Sequence, residues 1–308
     1  MELRAVLGGY GHVAGFRAVG LPGFSVQYLE APEPDAFARM LAREPQFDVC
    51  EVPLGPYLVA RSLGKPVTAL PVVVTRDFQH TLLACRGGSG IRGPADLAGR
   101  RVGCRFYCQT SAIWARGILA SEYGVDLNSV TWVVAEDEPV EGPLPGYPAN
   151  VQRGSGASLG EMLATGEVDA VVGASPAGLP EAEPLIPEAR LAEADWYRRI
   201  GVYPVNHTLV LSDALLQKEP SLAQGLFDAL GAAKAAYLER LRSEGPSTAE
   251  DRLRVRQQAI VGGDPLPYGL EANRGALETL IGWAREQGVI AGPPAVEGLF
   301  VSVVVPGG

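Results

Sequence analysis

The chain has 308 residues, 47% hydrophobic and 20% charged, enough for two lobes with buried cores. Its net charge of -9 would repel a phosphate backbone, so nucleic acid is not an expected partner. No run approaches the roughly 20 apolar residues of a membrane helix, and the start MELRAVLGGYGHVAGF lacks the basic, apolar and cleavage regions of an export signal, so no membrane partner and a cytoplasmic location are expected.

LRAVLGG is a short apolar run ending in glycine, and the glycine-rich stretch after it reads as a loop. PDAFARMLAREP has helical spacing and FDVCEVPL returns to a strand. GPYLVARSLG predicts a helix from Pro56 closed by Gly64. VTALPVVV and HTLLACR read as strands. In IRGPADLAGRRVGC, Pro94 and Asp96 start a helical turn, Gly99 ends it, and RRVGC is a strand. TSAIWARGILASEYG is an amphipathic helix with Thr110 at its start and Gly124 after its end.

VTWVVA is the next strand, and the Pro-, Gly- and Asn-rich stretch Glu136 to Gly160 reads as an excursion. LGEMLATGEVDAVVGAS predicts helix, turn and buried strand, and GVYPVNHTLVLS another strand. Three helical runs follow, and the tail VSVVVPGG reads as a late strand or an interface element. The alternation points to βαβ units and a largely parallel sheet.

Several residues have the chemistry of a site. His80 precedes the apolar run TLLAC and His207 precedes TLVL, so both fall at strand starts, and imidazole exchanges protons near neutrality. His12 lies in the first glycine-rich loop. Glu51 stands at the carboxyl end of FDVC, where open sheets bind ligands and where it can orient an imidazole or a phenol. Thr110 and Ser111 open a helix whose N–H groups suit a carboxylate. Cys108, just before that helix, is placed for a lowered thiol pKa. Arg76 and Arg105 are expected anion clamps. The four cysteines are read as reduced thiols; Cys104 and Cys108 lack the partners of a zinc site, so no metal is expected. GGYG is not a dinucleotide fingerprint and RGSGAS is not a P-loop, so no cofactor is expected.

The order of these pieces resembles the type 2 periplasmic-binding-protein fold. FDVCEVPLGPYLVARSLG, RDFQH, TSAIWARGILASEYGV, SLGEMLATGEVDAVV, WYRRIGVYPVNH and PYGLEANRGALE resemble, more narrowly, 4,5-dihydroxyphthalate decarboxylase and its relatives. The resemblance implies two Rossmann-like α/β lobes with a two-strand hinge and a central cleft: residues 1–90 with 204–308, and residues 91–203. It implies a cofactor-independent lyase, a decarboxylase of a hydroxylated aromatic or related conjugated acid. Two alternatives stay open: a solute-binding protein of a transporter or sensor, and another lyase such as a chorismate dehydratase. The expected partner is a small carboxylate, and a homo-oligomer is left open. His80, His207, Glu51 and Cys108 are the expected catalytic groups, with either histidine as the acid. Tyr10, His12, Arg76, Arg105, Tyr107, Thr110 and Ser111 are the expected substrate contacts. Arginines of the family motifs are replaced here by His12 and Gln79, which implies a substrate less negative than a phthalate.

Overall fold

A computed structural model describes residues 1–33, 35–141, 147–292 and 294–305. The chain opens with β1 (Glu2–Val6), α1 (Gly11–Val19), β2 (Ser25–Tyr28), α2 (Asp35–Met40), β3 (Val49–Pro53), α3 (Leu54–Ser62) and β4 (Val67–Thr75). It then builds β5 (Leu83–Arg86), β6 (Arg101–Cys104), α4 (Thr110–Tyr123), β7 (Thr131–Val134), β8 (Val151–Arg153), α5 (Leu159–Thr165), β9 (Ala170–Val172), β10 (Ala182–Pro184) and α6 (Ala189–Ile200). It finishes with β11 (His207–Ser212), α7 (Asp213–Lys218), α8 (Leu222–Glu244), α9 (Ala249–Val261) and α10 (Leu270–Glu286).

Two sheets result, ordered β2-β1-β3-β11-β4 and β10-β5-β9-β6-β7-β8. Both are mixed, which corrects the expectation of a largely parallel arrangement. β11 runs antiparallel between β3 and β4, and β5 runs antiparallel to both β9 and β10. The antiparallel members flank the two crossings between sheets, where the chain arrives from the opposite direction. Residues 83–86, expected with the first lobe, pair within the second sheet, so the first crossing precedes Leu83. The chain crosses back between α6 and β11.

Local differences have physical causes. The expected first loop is the helix α1. Its glycines weaken its propensity, but packing against α8 buries His12, Val13 and Phe16 and overrides it. HTLLACR is not one strand: residues His80–Leu82 form a 3-10 turn before β5. The expected excursion contains β8, and its residues 142–146 lie outside the described residues. The tail lies beside β4, with the Val301 N–H donating to the Ala69 carbonyl at 2.8 Å; residues 306–308 lie outside the described residues. Among the described residues, no helix is long and apolar enough to cross a membrane.

The largest core runs without a break from Cys50 and Tyr57 to Trp114, Trp132 and Trp196, so it joins the two sheets. The start of α3 meets the start of α4. Gly55 N–H donates to Thr110 Oγ1 at 2.8 Å, and Trp114 Nε1 donates to the Val205 carbonyl at 2.9 Å. A Cβ on Gly55 would overlap the Cys108 carbonyl oxygen, a backbone atom that cannot swing aside. Gly55→Ala is therefore expected to cost about 1–3 kcal/mol, the usual range for overpacking. Urea unfolding of the variant against the wild type measures it, and an unchanged midpoint would contradict this account of the junction.

Candidate active site

Glu51 lies near the carboxyl end of β3, a strand buried along its whole length. β11 places His207 opposite Pro53, so its side chain is a diagonal neighbour of Glu51 on the same face. The pairing of β11 with β4 shifts register on both sides of Thr208. Such a bulge re-aims the side chains beside it.

Three donors converge on the Glu51 carboxylate. Oε1 accepts from His207 Nδ1 at 2.7 Å and from the Tyr10 hydroxyl at 2.8 Å, and Oε2 accepts from Gly8 N–H at 2.8 Å. Residue 8 must be glycine for this approach: a Cβ would stand 2.9 Å from Oε2 and overlap the Tyr10 ring. Burial alone would raise the Glu51 pKa. The hydrogen bond and charge of His207, with the Gly8 N–H and the Tyr10 hydroxyl, outweigh it and hold the carboxyl below its ordinary value. Glu51 is thus an anion at neutral pH, which makes Nδ1 of His207 the donor and leaves Nε2 for another partner. Among the described residues none bonds to Nε2, and the side chain keeps 19% of its exposure. Burial and the Glu51 charge raise the Tyr10 pKa, so its phenol stays a proton donor.

A cavity of about 710 Å³ opens at the carboxyl ends of β1, β2 and β3, lined by Gly8, Gly9, Arg17, Glu33, Phe37 and Glu51 among others. The Phe37 ring meets the His207 ring edge-on at 5.8 Å. Arg105, from the loop after β6, donates to Glu136 Oε1 at 2.8 Å and reaches Glu33 at 4.0 Å. It therefore ties the second lobe to the rim of this cavity.

His12 stacks on Tyr10 with ring centroids 5.6 Å apart, and its Nδ1 lies 3.6 Å from Glu250 Oε1. Burial is the largest influence on His12 and leaves its pKa below the ordinary value. Tyr10, His12, Glu51 and His207 thus form one group.

The other expected residues stand apart from it. His80 sits in its 3-10 turn, 1% exposed, edge-on to Trp196 at 5.6 Å. Burial lowers its pKa to about 4, and the charged neighbours that influence it are Glu122 and Arg199. It is a neutral core imidazole at pH 7, which corrects its reading as a proton donor. Cys108 is fully buried, and burial with the nearby Glu138 carboxylate pushes its thiol pKa well up, opposite to the expected lowering. Glu138 itself accepts from the Tyr107 and Cys108 N–H groups.

Arg76 is no open clamp: it donates to Asn273 Oδ1 and the Tyr203 carbonyl and lies over the Tyr203 ring. Burial lowers its pKa to about 10, still cationic at neutrality. The Tyr107 hydroxyl is committed to the Gln287 carbonyl at 2.9 Å. Thr110 receives the Gly55 N–H, and Ser111 is buried beside Gly173. Glu250, Glu138 and Glu33 escape sequence reasoning. Glu250 is 239 positions from its partner Gly11 and reads in sequence as a first-turn helix residue. Among the described residues no three His, Cys, Asp or Glu side chains gather as metal ligands.

Comparison with known proteins adds two curated relatives. The chain is 32% identical over 278 residues to a 4,5-dihydroxyphthalate decarboxylase of Comamonas testosteroni, covering 85% of this chain and 83% of that one. It is 35% identical over 185 residues to a protein of the same name from Pseudomonas putida, covering 56% and 71%. No protein-family model matches. Among solved structures, the periplasmic aliphatic sulphonate binding protein SsuA of Escherichia coli superposes with a TM-score of 0.59 at 14% identity, over 97% of both chains. The desulfurization enzyme DszB superposes with a TM-score of 0.54 at 18% identity, over 97% of this chain and 96% of its own. At these identities the two structures establish the periplasmic-binding-protein fold.

The burial of His80 has a measurable consequence. An unfolded histidine titrates near 6.5, the folded one at about 4, so the unfolded chain binds more protons between these values. Stability is at its full value above pH ~6.5 and falls as pH drops toward 4, by on the order of 3 kcal/mol from this group. In His80→Asn that part of the slope is expected to vanish, read as urea midpoints at pH 7 and 4.5. An identical slope in the variant would mean that His80 titrates freely in the folded state.

Proposed function

The chain belongs to the 4,5-dihydroxyphthalate decarboxylase family, and from that membership we propose that it acts as a carbon–carbon lyase, removing CO2 from a hydroxylated aromatic acid with His207 supplying the replacing proton. The observation that carries this reading is the Glu51–His207 pair, in which Glu51 lines a cavity of about 710 Å³ and His207 meets the ring of Phe37, another lining residue. A cavity of that size takes a single-ring acid.

Direct loss of CO2 would leave an aryl carbanion with no stabilisation. Protonation first avoids it. A base removes the phenolic proton of the substrate, and the ring carbon bearing the carboxylate takes the Nε2 proton of imidazolium His207. The ring becomes a dienone that still carries its carboxylate. The carbon–carbon bond then breaks, CO2 leaves, and the electron pair restores the aromatic phenolate. The phenolate regains its proton, and His207 is recharged from solvent. The net change is one carboxylate exchanged for one hydrogen.

Glu51 accepts from Nδ1 and fixes the ring so that Nε2 presents the proton. Tyr10 and Gly8 hold Glu51 ionised, so they act through it. The two crossings between the sheets, before β5 and before β11, serve as a hinge that closes the cleft around the substrate.

Acid–base assistance of this kind is typically worth about a hundred- to ten-thousand-fold. His207→Asn is expected to lower turnover by that range with substrate affinity nearly unchanged, measured as CO2 release and product mass over a panel of hydroxylated aromatic acids. His80→Asn is expected to keep turnover within a few-fold. Near wild-type turnover in His207→Asn would place the acid elsewhere. Tight binding of aromatic acids by the wild type without any turnover would instead mark a binding protein.

A further inference from the structure

Arg17 stands in the last turn of α1. Side chains on a helix lean toward its N-terminus. Arg17 follows that lean and donates to the carbonyl of Leu7, the residue after β1. Its guanidinium lies over the Tyr28 ring, 4.8 Å from the centroid. Arg17 and Tyr28 both line the cavity of about 710 Å³ that Glu51 lines.

Both groups have donors to spare. A guanidinium presents a fork of N–H groups, and the bond Arg17 makes goes to an uncharged carbonyl. The described carboxylates of the lining are Glu30, Glu33 and Glu51, and Arg17 forms an ion pair with none of them. Glu51 is answered by its own three donors, and Glu33 faces Arg105. The Tyr28 hydroxyl is buried with no hydrogen-bond partner among the described residues. Burial raises its pKa, so it keeps its proton as a donor. A buried donor without an acceptor is costly, and an anionic ligand offers acceptors to the guanidinium and the phenol together.

One peptide group joins this cation to the Glu51–His207 pair. Between Leu7 and Gly8, the carbonyl accepts from Arg17 and the N–H donates to Glu51 Oε2. In a planar trans peptide these two groups point in opposite directions, so the guanidinium and the carboxylate stand on its two sides, roughly 7–8 Å apart. That is too far for an ion pair and near enough for one ring-sized ligand to touch both Arg17 and the imidazole that Glu51 orients.

We propose that Arg17 anchors the substrate by its carboxylate and leaves the ring facing His207. This rests on the decarboxylase reading above and names the group that binds the acid for it. The bound acid and its protonated dienone both carry the carboxylate. Until the carbon–carbon bond breaks, Arg17 therefore acts on affinity, while Glu51 and His207 act on proton transfer.

The test compares 3,4-dihydroxybenzoate with its uncharged amide, 3,4-dihydroxybenzamide. Binding is measured by titration calorimetry at neutral pH, and CO2 release is followed over the same panel of hydroxylated aromatic acids. The wild type is expected to bind the acid more tightly than the amide. Arg17→Gln is expected to weaken the acid about ten- to a hundredfold, the usual worth of a hydrogen bond to a charged group. It is expected to leave the amide nearly unchanged, and to raise KM with kcat within a few-fold. Arg17→Met, which keeps the apolar stem over Tyr28, takes its place should R17Q fail to fold.

An equal loss for acid and amide in R17Q overturns the proposal, because such a loss does not read charge. Unchanged affinity for the acid overturns it too, as does a wild type that binds the amide as tightly as the acid or binds neither saturably. A loss confined to the acid, in a protein that releases no CO2 from any of the panel, supports the anchor and removes the decarboxylase reading. Unchanged affinity with full turnover removes the anchor and leaves that reading in place.

Discussion

An ionised carboxylate buried near the carboxyl end of a central strand is the constraint on which this site depends. Taking a carboxylate out of water costs several kcal/mol unless donors replace its hydration. Glu51 meets that requirement with a backbone N–H, a phenol and an imidazole from three separate segments. Removing any one of them leaves a charged acceptor short of partners, so β1, β3 and β11 are held in one register by the same demand. The register shift at the start of β11 lies beside this contact, between His207 and Leu209.

The junction between the lobes rests on close packing more than on charge. Gly55 lets the start of α3 approach the backbone that leads into α4, and Thr110 spends its hydroxyl on that contact. The buried guanidinium of Arg116 donates to the Tyr107 carbonyl and to Gln287, and its flat face covers the Tyr107 ring. Arg76 does the same with Tyr203 and Asn273. Both arginines are fasteners. Groups with the chemistry of ligand clamps have been drawn into the core, where carbonyl oxygens and ring faces solvate them.

The three histidines show how surroundings divide one chemistry. His80 loses its charge to burial against Trp196. His12 is buried too, but a carboxylate stands near it. His207 alone combines a direct bond to an anion with some exposure. The same residue type is a packing element, a buried imidazole beside a carboxylate and an imidazole oriented by a carboxylate, according to what the fold places beside it.

Local pattern was enough to read the alternation of strands and helices, the α4 helix with its Gly124 end, the strand carrying Glu51 and the resemblance to a two-lobed binding fold. Those features depend on neighbours a few positions away: apolar periodicity, turn residues and end signals. The helix α1 was not legible, because its glycines speak against it and only packing on α8 stabilises it. The start of β5 was misread for a similar reason, since His80–Leu82 leads directly into the apolar run of β5 but turns before entering the second sheet. At the site, Glu51, Tyr10, His12 and His207 were legible as candidates and not as a group. Their meeting requires β11 to return antiparallel beside β3 after about half the chain has intervened. Glu250 was not legible at all, since nothing near it in sequence marks it as more than a first-turn helix residue. Residue type and local spacing determine which chemistry is available; burial, and the charge brought alongside by distant segments, decide which of those groups is ionised, which is spent on structure and which is left facing the cavity.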